Sequence, residues 1–332
     1  MREIISDKVL HGGTIKKLRE SRGISIIDFS ASMNPLPPRL DPALDPRDLE
    51  YYPDDSYTLL KETIGRLFNR RVEEIAVGNG SIELIRVFCS CVLSHGDHVR
   101  IPSPTFGEYE YSARLAGAVP GNGNAGPKAT FLCNPNNPTG VLLPAGEVDT
   151  VLLSVAEGEG TLFLDEAFIE LSDPGQSMVG RRDPSLFLLR SLTKSFSIPG
   201  IRFGYGFGDP DLIARMEATR PPWSVNAYAE HYALLAFEHY NELEQSRKYI
   251  EAEREWLNSR FADLPVRVNP SQANFILVDL ATDVAPLCED LLGHGILVRD
   301  CHSFGLPCSI RIAVRTREEN SLLIEALQEC LP

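Results

Sequence analysis

A chain of 332 residues with 43% hydrophobic content can bury a large core, and no apolar run reaches the roughly 18 residues that a membrane helix needs. A net charge of -14, with basic residues dispersed rather than gathered in a stripe, repels polyanions and excludes nucleic acid as an expected partner. Seven scattered cysteines without a CxxC pair fit reduced thiols; with an N-terminus (MREIISDKVLHGG) lacking a signal peptide's apolar stretch, they predict a cytoplasmic setting and no metal site.

In chain order, residues 1–56 read as an extended arm rich in glycine and proline, expected to fold over the active site as a lid. Helical patterning begins near Tyr57. The pattern then predicts a helix over 57–69, a strand over 74–77, a helix over 81–94, a strand over 98–101, a helix over 106–117 and a strand over 129–133. The alternation continues through 147–157, 161–165, 186–190 and 201–207, as in an α/β fold with a mostly parallel sheet flanked by helices. A helical run over about 226–260 links this large unit, 57–245, to a smaller C-terminal α+β unit, 246–332. Sheets of this kind bind ligands at the carboxyl ends of their strands.

The chemistry-bearing stretches fall at those ends. Gly78-Asn79-Gly80-Ser81 follows a strand and opens a helix, where small residues let N–H groups approach a phosphate, although an ordinary tight turn would look the same. Pro104-Thr105-Phe106 places an aromatic ring where a flat cofactor could stack, or simply a core phenylalanine. Asn134-Pro135-Asn136-Asn137-Pro138-Thr139-Gly140 is a rigid turn that presents an asparagine amide in one direction. Asp165, in DEAF, ends an apolar strand and suits a pyridinium nitrogen, or a helix or turn cap.

The stretch FLLRSLTKSFSIPGIRFGY, from Phe187 to Tyr205, decides how these are combined. The chain has 25 arginines but seven lysines, and Lys194 alone of the seven sits among apolar residues. Partial desolvation disfavours its charged form and leaves more neutral amine to attack a carbonyl. Ser191 and Arg202 flank it with a hydroxyl and a cationic fork suited to one phosphate. An aldehyde that carries a phosphate is pyridoxal 5'-phosphate; a buried lysine tied to a carboxylate is the plainer alternative. Arg299, Arg311 and Arg315 are further anion-binding candidates for a small phosphorylated ligand.

Together and in order, GNGS, PTF, NPNNPTG, DEAF, SLTK and PGIRFGY resemble the fold-type-I, class I/II aminotransferase superfamily, from about His11 to Asn320. The resemblance implies Lys194 as the Schiff-base lysine, Asp165 on the ring nitrogen, Asn137 on the ring hydroxyl and Phe106 stacked on the ring. It implies a phosphate cradle of Gly80, Ser81, Ile82, Ser191 and Arg202, and a homodimer in which Tyr52 reaches the neighbouring subunit's phosphate. Many aminotransferases carry a tyrosine where Phe168 stands, so a hydroxyl to the ring oxygen is missing here. The segment 119–129 is shorter than in most relatives, which predicts a lost or shortened sheet edge.

Two branches share an arginine pair matched by Arg299 and Arg311: histidinol-phosphate aminotransferase, and the L-threonine-O-3-phosphate decarboxylase of cobalamin synthesis. His11-Gly12-Gly13, FSASMNPL, LRSLTKSFSIPG, PPWSVNA and RDCHSFGL are more similar to the decarboxylase. That resemblance implies His11, Asn34 and Arg299 around the substrate phosphate and Arg311 on the carboxylate. A non-enzymatic regulator with this fold would carry an N-terminal DNA-binding domain, for which the 56-residue arm is poorly suited.

Overall fold

Runs such as TLFLD and LFLLRS are apolar at successive positions, the pattern of parallel strands covered on both faces. The computed structural model describes Val9, Leu18 and residues 25–42, 45–121 and 126–331; His11, Gly12 and Gly13 lie outside the described residues. In chain order the first strands are β1 (Ile27–Asp28), β2 (Ile75–Gly78), β3 (His98–Arg100), β4 (Val119–Pro120) and β5 (Ala129–Cys133). They continue with β6 (Thr161–Asp165), β7 (Leu186–Ser191), β8 (Gly204–Phe207), β9 (Arg267–Val268) and β10 (Phe275–Asp279). The last are β11 (Ile296–Leu297), β12 (Arg299–Asp300) and β13 (Ser309–Ala313).

Seven strands form one sheet in the order β2-β8-β7-β6-β5-β3-β4. All its pairs are parallel except those of β8, which runs antiparallel to β2 and β7. The edge strand β4 is only two residues long, so the short 119–129 segment does shorten the sheet there. Alternation sorts the side chains by face: Leu162, Leu164, Leu186 and Leu188 join one core cluster, while Phe163, Phe187 and Leu189 join another. On that second face Phe88, Phe131, Phe163 and Phe187 pack ring against ring at 4.8–6.0 Å. Because β5, β6 and β7 are parallel neighbours, Cys133, Asp165 and Ser191 end at one edge, and the site is built there.

Two glycines in β8 make that edge possible. A Cβ on Gly204 would lie 2.4 Å from the Ser81 backbone nitrogen, and one on Gly206 would lie 2.6 Å from the Phe187 ring. The missing Cβ at Gly204 lets the start of helix Ser81–Val92 sit directly against β8, and the missing Cβ at Gly206 leaves room for the Phe187 ring.

The structure departs from the pattern at 226–260, which is two helices, Ala227–Glu238 and Leu243–Phe261, separated by a 3-10 turn over Tyr240–Glu242. Tyr240 explains the break. Its ring meets Phe68 edge-on at 5.4 Å and its hydroxyl accepts from Arg190 at 3.3 Å, contacts that outweigh continuation of the helix. The C-terminal strands form a second, antiparallel sheet in the order β12-β13-β10-β9, and β1 pairs with β11, which ties the N-terminal segment to this part of the chain. Among the described residues no helix is long and apolar enough to cross a membrane.

An arginine sits in the middle of the apolar strand β7, 1% exposed. Arg190 pairs with Glu166 at 2.9 Å and Glu170 at 2.8 Å, both equally buried, and donates to Ser177 Oγ at 2.6 Å. Removing one partner of such a group leaves charge buried without compensation. Arg190→Met should therefore lower the unfolding free energy by about 3–5 kcal/mol. Urea unfolding measures it, and an unchanged midpoint would show that the two carboxylates are stabilised by something other than Arg190.

Candidate active site

A cavity of about 540 Å³ opens at the carboxyl ends of β5, β6 and β7, between the two sheets. Lys194 lies half-buried on its floor, in the short helix Leu192–Ser195 that Ser191 caps by accepting from the Thr193 N–H at 3.3 Å. Burial, then the positive charges of Arg311 and Arg202, bring the Lys194 amine down to about 8. Among the described residues no carboxylate is within ion-pairing distance of it. The alternative of a lysine tied to a carboxylate does not describe this geometry.

Asp165 ends β6 and lines the cavity. Its Oδ2 accepts from the Tyr109 hydroxyl at 2.7 Å and its Oδ1 from the Ala167 N–H at 2.8 Å. Burial raises its carboxyl to about 6, against the lowering effect of those two hydrogen bonds. Asn137 is buried and its Oδ1 accepts from Arg311, which leaves Nδ2 as the amide's donor on the cavity side. Phe106 lines the same space, edge-on to Tyr109 at 5.5 Å.

The cradle residues converge at one end. Ser81, Ile82, Ser191 and Arg202 all line the cavity. Gly80 adopts φ +77, and a Cβ on it would lie 2.5 Å from Arg202 Nη2, so only glycine lets that guanidinium lie against the turn. No side chain caps helix Ser81–Val92 at its N-terminus, and its first-turn N–H groups favour an anion. A phosphate fits amides, a hydroxyl and a guanidinium; an aldehyde fits Lys194; a ring nitrogen fits Asp165. The donor set thus matches pyridoxal phosphate. Tyr52 stands apart, 79% exposed, its ring tilted against that of Trp223 at 4.6 Å.

Opposite the cradle, Arg299 and Arg311 face each other in register across β12 and β13. Arg311 is buried, donates to the Ser30 carbonyl at 2.8 Å and lies over the Phe275 ring at 5.1 Å. Its Nε has no hydrogen-bond partner, and burial lowers its pKa to about 10. Arg299 donates to Ser303 Oγ at 2.6 Å and lies over Phe304 at 5.3 Å; both of these residues also line the cavity.

Two expectations change, at Asn34 and Arg315. Asn34 does not reach the cavity: its Nδ2 donates to the Ser195 carbonyl at 2.7 Å and Ser246 Oγ at 2.9 Å, and its Oδ1 accepts from the Leu36 N–H at 2.9 Å. The amide is fully engaged in holding the N-terminal segment to the Lys194 helix. Ser32, two residues earlier, lines the cavity instead, 1% exposed and with its hydroxyl unpartnered. Arg315 turns away, paired with Glu319 at 2.8 Å and donating to the Asp28 carbonyl at 3.0 Å. Phe168 lines the cavity and packs on Phe275 at 5.0 Å, so a ring takes the place of the hydroxyl. His11 lies outside the described residues.

Tyr109, Ser32, Ser303 and Phe304 had not been singled out from the sequence. Tyr109 had a usable signal, standing three residues after Phe106 at the start of a helix, where i and i+3 share a face. Its hydroxyl lowers the Asp165 carboxyl against burial. Tyr109→Phe should therefore move the protonation midpoint of Asp165 above about 6 in the cofactor-free protein. Infrared difference spectra of the carboxyl band, referenced to Asp165→Asn, measure this; an unmoved midpoint would remove Tyr109 from control of that carboxylate.

Comparison with known proteins places this geometry. The family model described as aminotransferase class I and II matches residues 30–124 and 120–327. A histidinol-phosphate aminotransferase of Symbiobacterium thermophilum is 33% identical over 298 residues, covering 84% of this chain and 82% of the relative. A protein of Caldanaerobacter subterraneus named "Putative threonine-phosphate decarboxylase" is 36% identical over 328 residues, covering 90% and 88%. The crystal structure of histidinol-phosphate aminotransferase from Sinorhizobium meliloti in complex with pyridoxal-5'-phosphate superposes with a TM-score of 0.83 at 22% identity, covering 98% of this chain and 96% of that one. With a family match over nearly the whole chain, a shared fold and a cavity that fits the cofactor, the chain belongs to the class I and II aminotransferase family, whose cofactor is pyridoxal phosphate.

Proposed function

We propose that this chain binds pyridoxal phosphate and decarboxylates L-threonine O-3-phosphate to (R)-1-amino-2-propanol O-2-phosphate. The register of Arg299 with Arg311 on the wall facing Lys194, where two guanidiniums start from directly opposed positions, supports a ligand set with a phosphate and a carboxylate and is common to this reading and its alternative. Like charges so placed repel, and bound anions close to both relieve that repulsion. A molecule with a phosphate, a carboxylate and an amine supplies both anions at once and brings its amine to the lysine. The observation that carries the decarboxylase over its alternative is the set of segments FSASMNPL, LRSLTKSFSIPG, PPWSVNA and RDCHSFGL, together with the 36% identity to the Caldanaerobacter protein.

In this reading Arg311 takes the carboxylate, as a buried fork with an unpartnered Nε. Arg299 takes the substrate phosphate, aided by the orphaned hydroxyl of Ser32. When bound, the cofactor supplies an electron sink for the pair released as the carbon–carboxylate bond breaks. Lys194 would hold the cofactor through its amine, and the same amine, once free, could return a proton to the substrate. Asp165, oriented by Tyr109, would keep the ring nitrogen protonated; Asn137 Nδ2 would be free to donate to the ring hydroxyl; Phe106 would cover the ring; and Ser81, Ile82, Ser191 and Arg202 would hold the cofactor phosphate. With Phe168 in place of a tyrosine, Asn137 takes the ring oxygen without a second hydroxyl donor. The exposed Tyr52 serves a neighbouring subunit's cofactor phosphate in a homodimer.

A second reading has a specific support. Most of the curated relatives carry the histidinol-phosphate aminotransferase name, and in that reaction Arg299 would bind the phosphate of one substrate and Arg311 the carboxylate of glutamate in turn. The loaded protein distinguishes the two. Carbon dioxide should be released from L-threonine O-3-phosphate with no 2-oxo acid present. Glutamate formed from histidinol phosphate and 2-oxoglutarate, without carbon dioxide from threonine phosphate, would establish the second reading.

Losing one charge-assisted phosphate contact costs roughly 1.5–3 kcal/mol, about tenfold to a hundredfold in affinity. Arg299→Ala should weaken L-threonine O-3-phosphate by that factor and leave threonine almost unaffected. Equal binding of the phosphorylated substrate by variant and wild type would move the phosphate contact elsewhere.

A further inference from the structure

The segment that carries Arg299, Ser303 and Phe304 into the cavity is held from outside by one imidazole. His302 begins the 3-10 turn His302–Phe304, with its side chain exposed on the face away from the cavity lining. Its Nδ1 pairs with Asp300 Oδ1, and its Nε2 pairs with Asp283 Oδ2 at 3.0 Å. The His302 backbone N–H also donates to Asp300 Oδ1, at 2.7 Å. Asp283 is itself fixed, because its Oδ1 accepts from the Ala285 N–H at 2.8 Å at the start of helix Ala285–Gly293. The ring therefore bridges the turn to a neighbouring helix.

Both ring nitrogens face carboxylate oxygens, and only the imidazolium has an N–H on each. A neutral ring keeps one N–H and sets a lone pair against the other carboxylate. We propose that His302 is a positioning residue: as the imidazolium held between Asp300 and Asp283, it fixes the turn that presents Arg299, Ser303 and Phe304 to the substrate's phosphate.

The groups that act directly on the ring are carboxylates, and one guanidinium, Arg299, stands on the same segment. Asp300 on the ring's own segment and Asp283 from the helix side act on the ring directly; Arg299 and Cys301 flank Asp300 in the chain, and Asp300, Cys301, Glu289 and Asp283 all act on the Cys288 thiol of that helix. The hydrogen bond with Asp300, then that with Asp283, hold the His302 pKa above its ordinary 6.5. A group with a raised folded pKa contributes fully below its unfolded value and loses that contribution as the pH rises through the folded one. The clamp is complete at pH 6 and weakens as the pH rises above 6.5 through that raised value.

The proposal rests on the reading of the cavity as a site for a phosphorylated substrate. Its test is the ratio of KM for L-threonine O-3-phosphate in His302→Gln holoenzyme to that in wild type, between pH 6 and pH 9. The ratio cancels the ionisation of Lys194 and of the substrate. Exposed pairs are screened, so it should be about two to five at pH 6, fall toward one by pH 9, and leave kcat unchanged. Asp283→Asn, which keeps the ring and removes its outer partner, should give the same profile. A ratio of one at pH 6, or one that is constant with pH, overturns the proposal.

Hydrogen exchange reads the clamp without any substrate. Protection of the amides over 301–306 should be lower in His302→Gln than in wild type at pH 6, with the two converging at high pH, and equal protection at pH 6 overturns it. If wild type turns over neither phosphorylated substrate while the exchange difference is present, the function assigned to the cavity fails and the clamp stands.

Discussion

The site depends on keeping one amine unpaired with any carboxylate while surrounding it with cations. Lys194 sits where burial and the fields of Arg311 and Arg202 lower its proton affinity to about 8, so that near neutral pH a usable fraction is uncharged. Each other feature of the cavity can be read as a consequence. The acid at the far side of the floor, Asp165, is held as an acceptor by Tyr109 and by a backbone N–H rather than by a salt bridge to the lysine. The cations that depress the amine are oriented by neutral groups, Arg311 by Asn137 and the Ser30 carbonyl, Arg202 by the Pro199 carbonyl, so their charge remains available for anions.

Such an arrangement needs a stiff support. Three parallel strands end together behind the lysine, and glycine at 204 lets the Ser81 helix close against the neighbouring β8. Beneath the DEAF turn, Glu166 and Glu170 are tied to Arg190, so the residues immediately after Asp165 are fixed by a buried ionic network. The Arg190 pairs thus lie in the layer behind the cavity, while on the cavity wall Lys194 and Arg311 have no carboxylate in ion-pairing distance among the described residues. That separation suits a binding site for a molecule that brings its own negative charge.

Much of this was legible in the sequence because it is local. Strand-end motifs such as NPNNPTG and DEAF name their own positions, and the apolar setting of Lys194 among seven lysines is visible in one line of text. What was not legible depends on pairing between distant segments. The opposition of Arg299 and Arg311 is a matter of strand register, which twelve residues of separation do not reveal. The break at Tyr240 arises from Phe68 and Arg190, far away in the chain. Asn34 shows the limit in the other direction: a polar residue in a telling motif was assigned to the ligand, yet its amide is engaged by Ser195, Ser246 and Leu36, and Ser32 holds the open hydroxyl.

The central claim is that Lys194 is the residue that holds the cofactor. Borohydride reduction of the protein loaded with pyridoxal phosphate, followed by peptide mapping, tests it most directly. The account predicts a stable pyridoxyl adduct on the peptide containing Lys194, abolished in Lys194→Ala. An adduct on any of the other six lysines, or one retained undiminished in that variant, would contradict it.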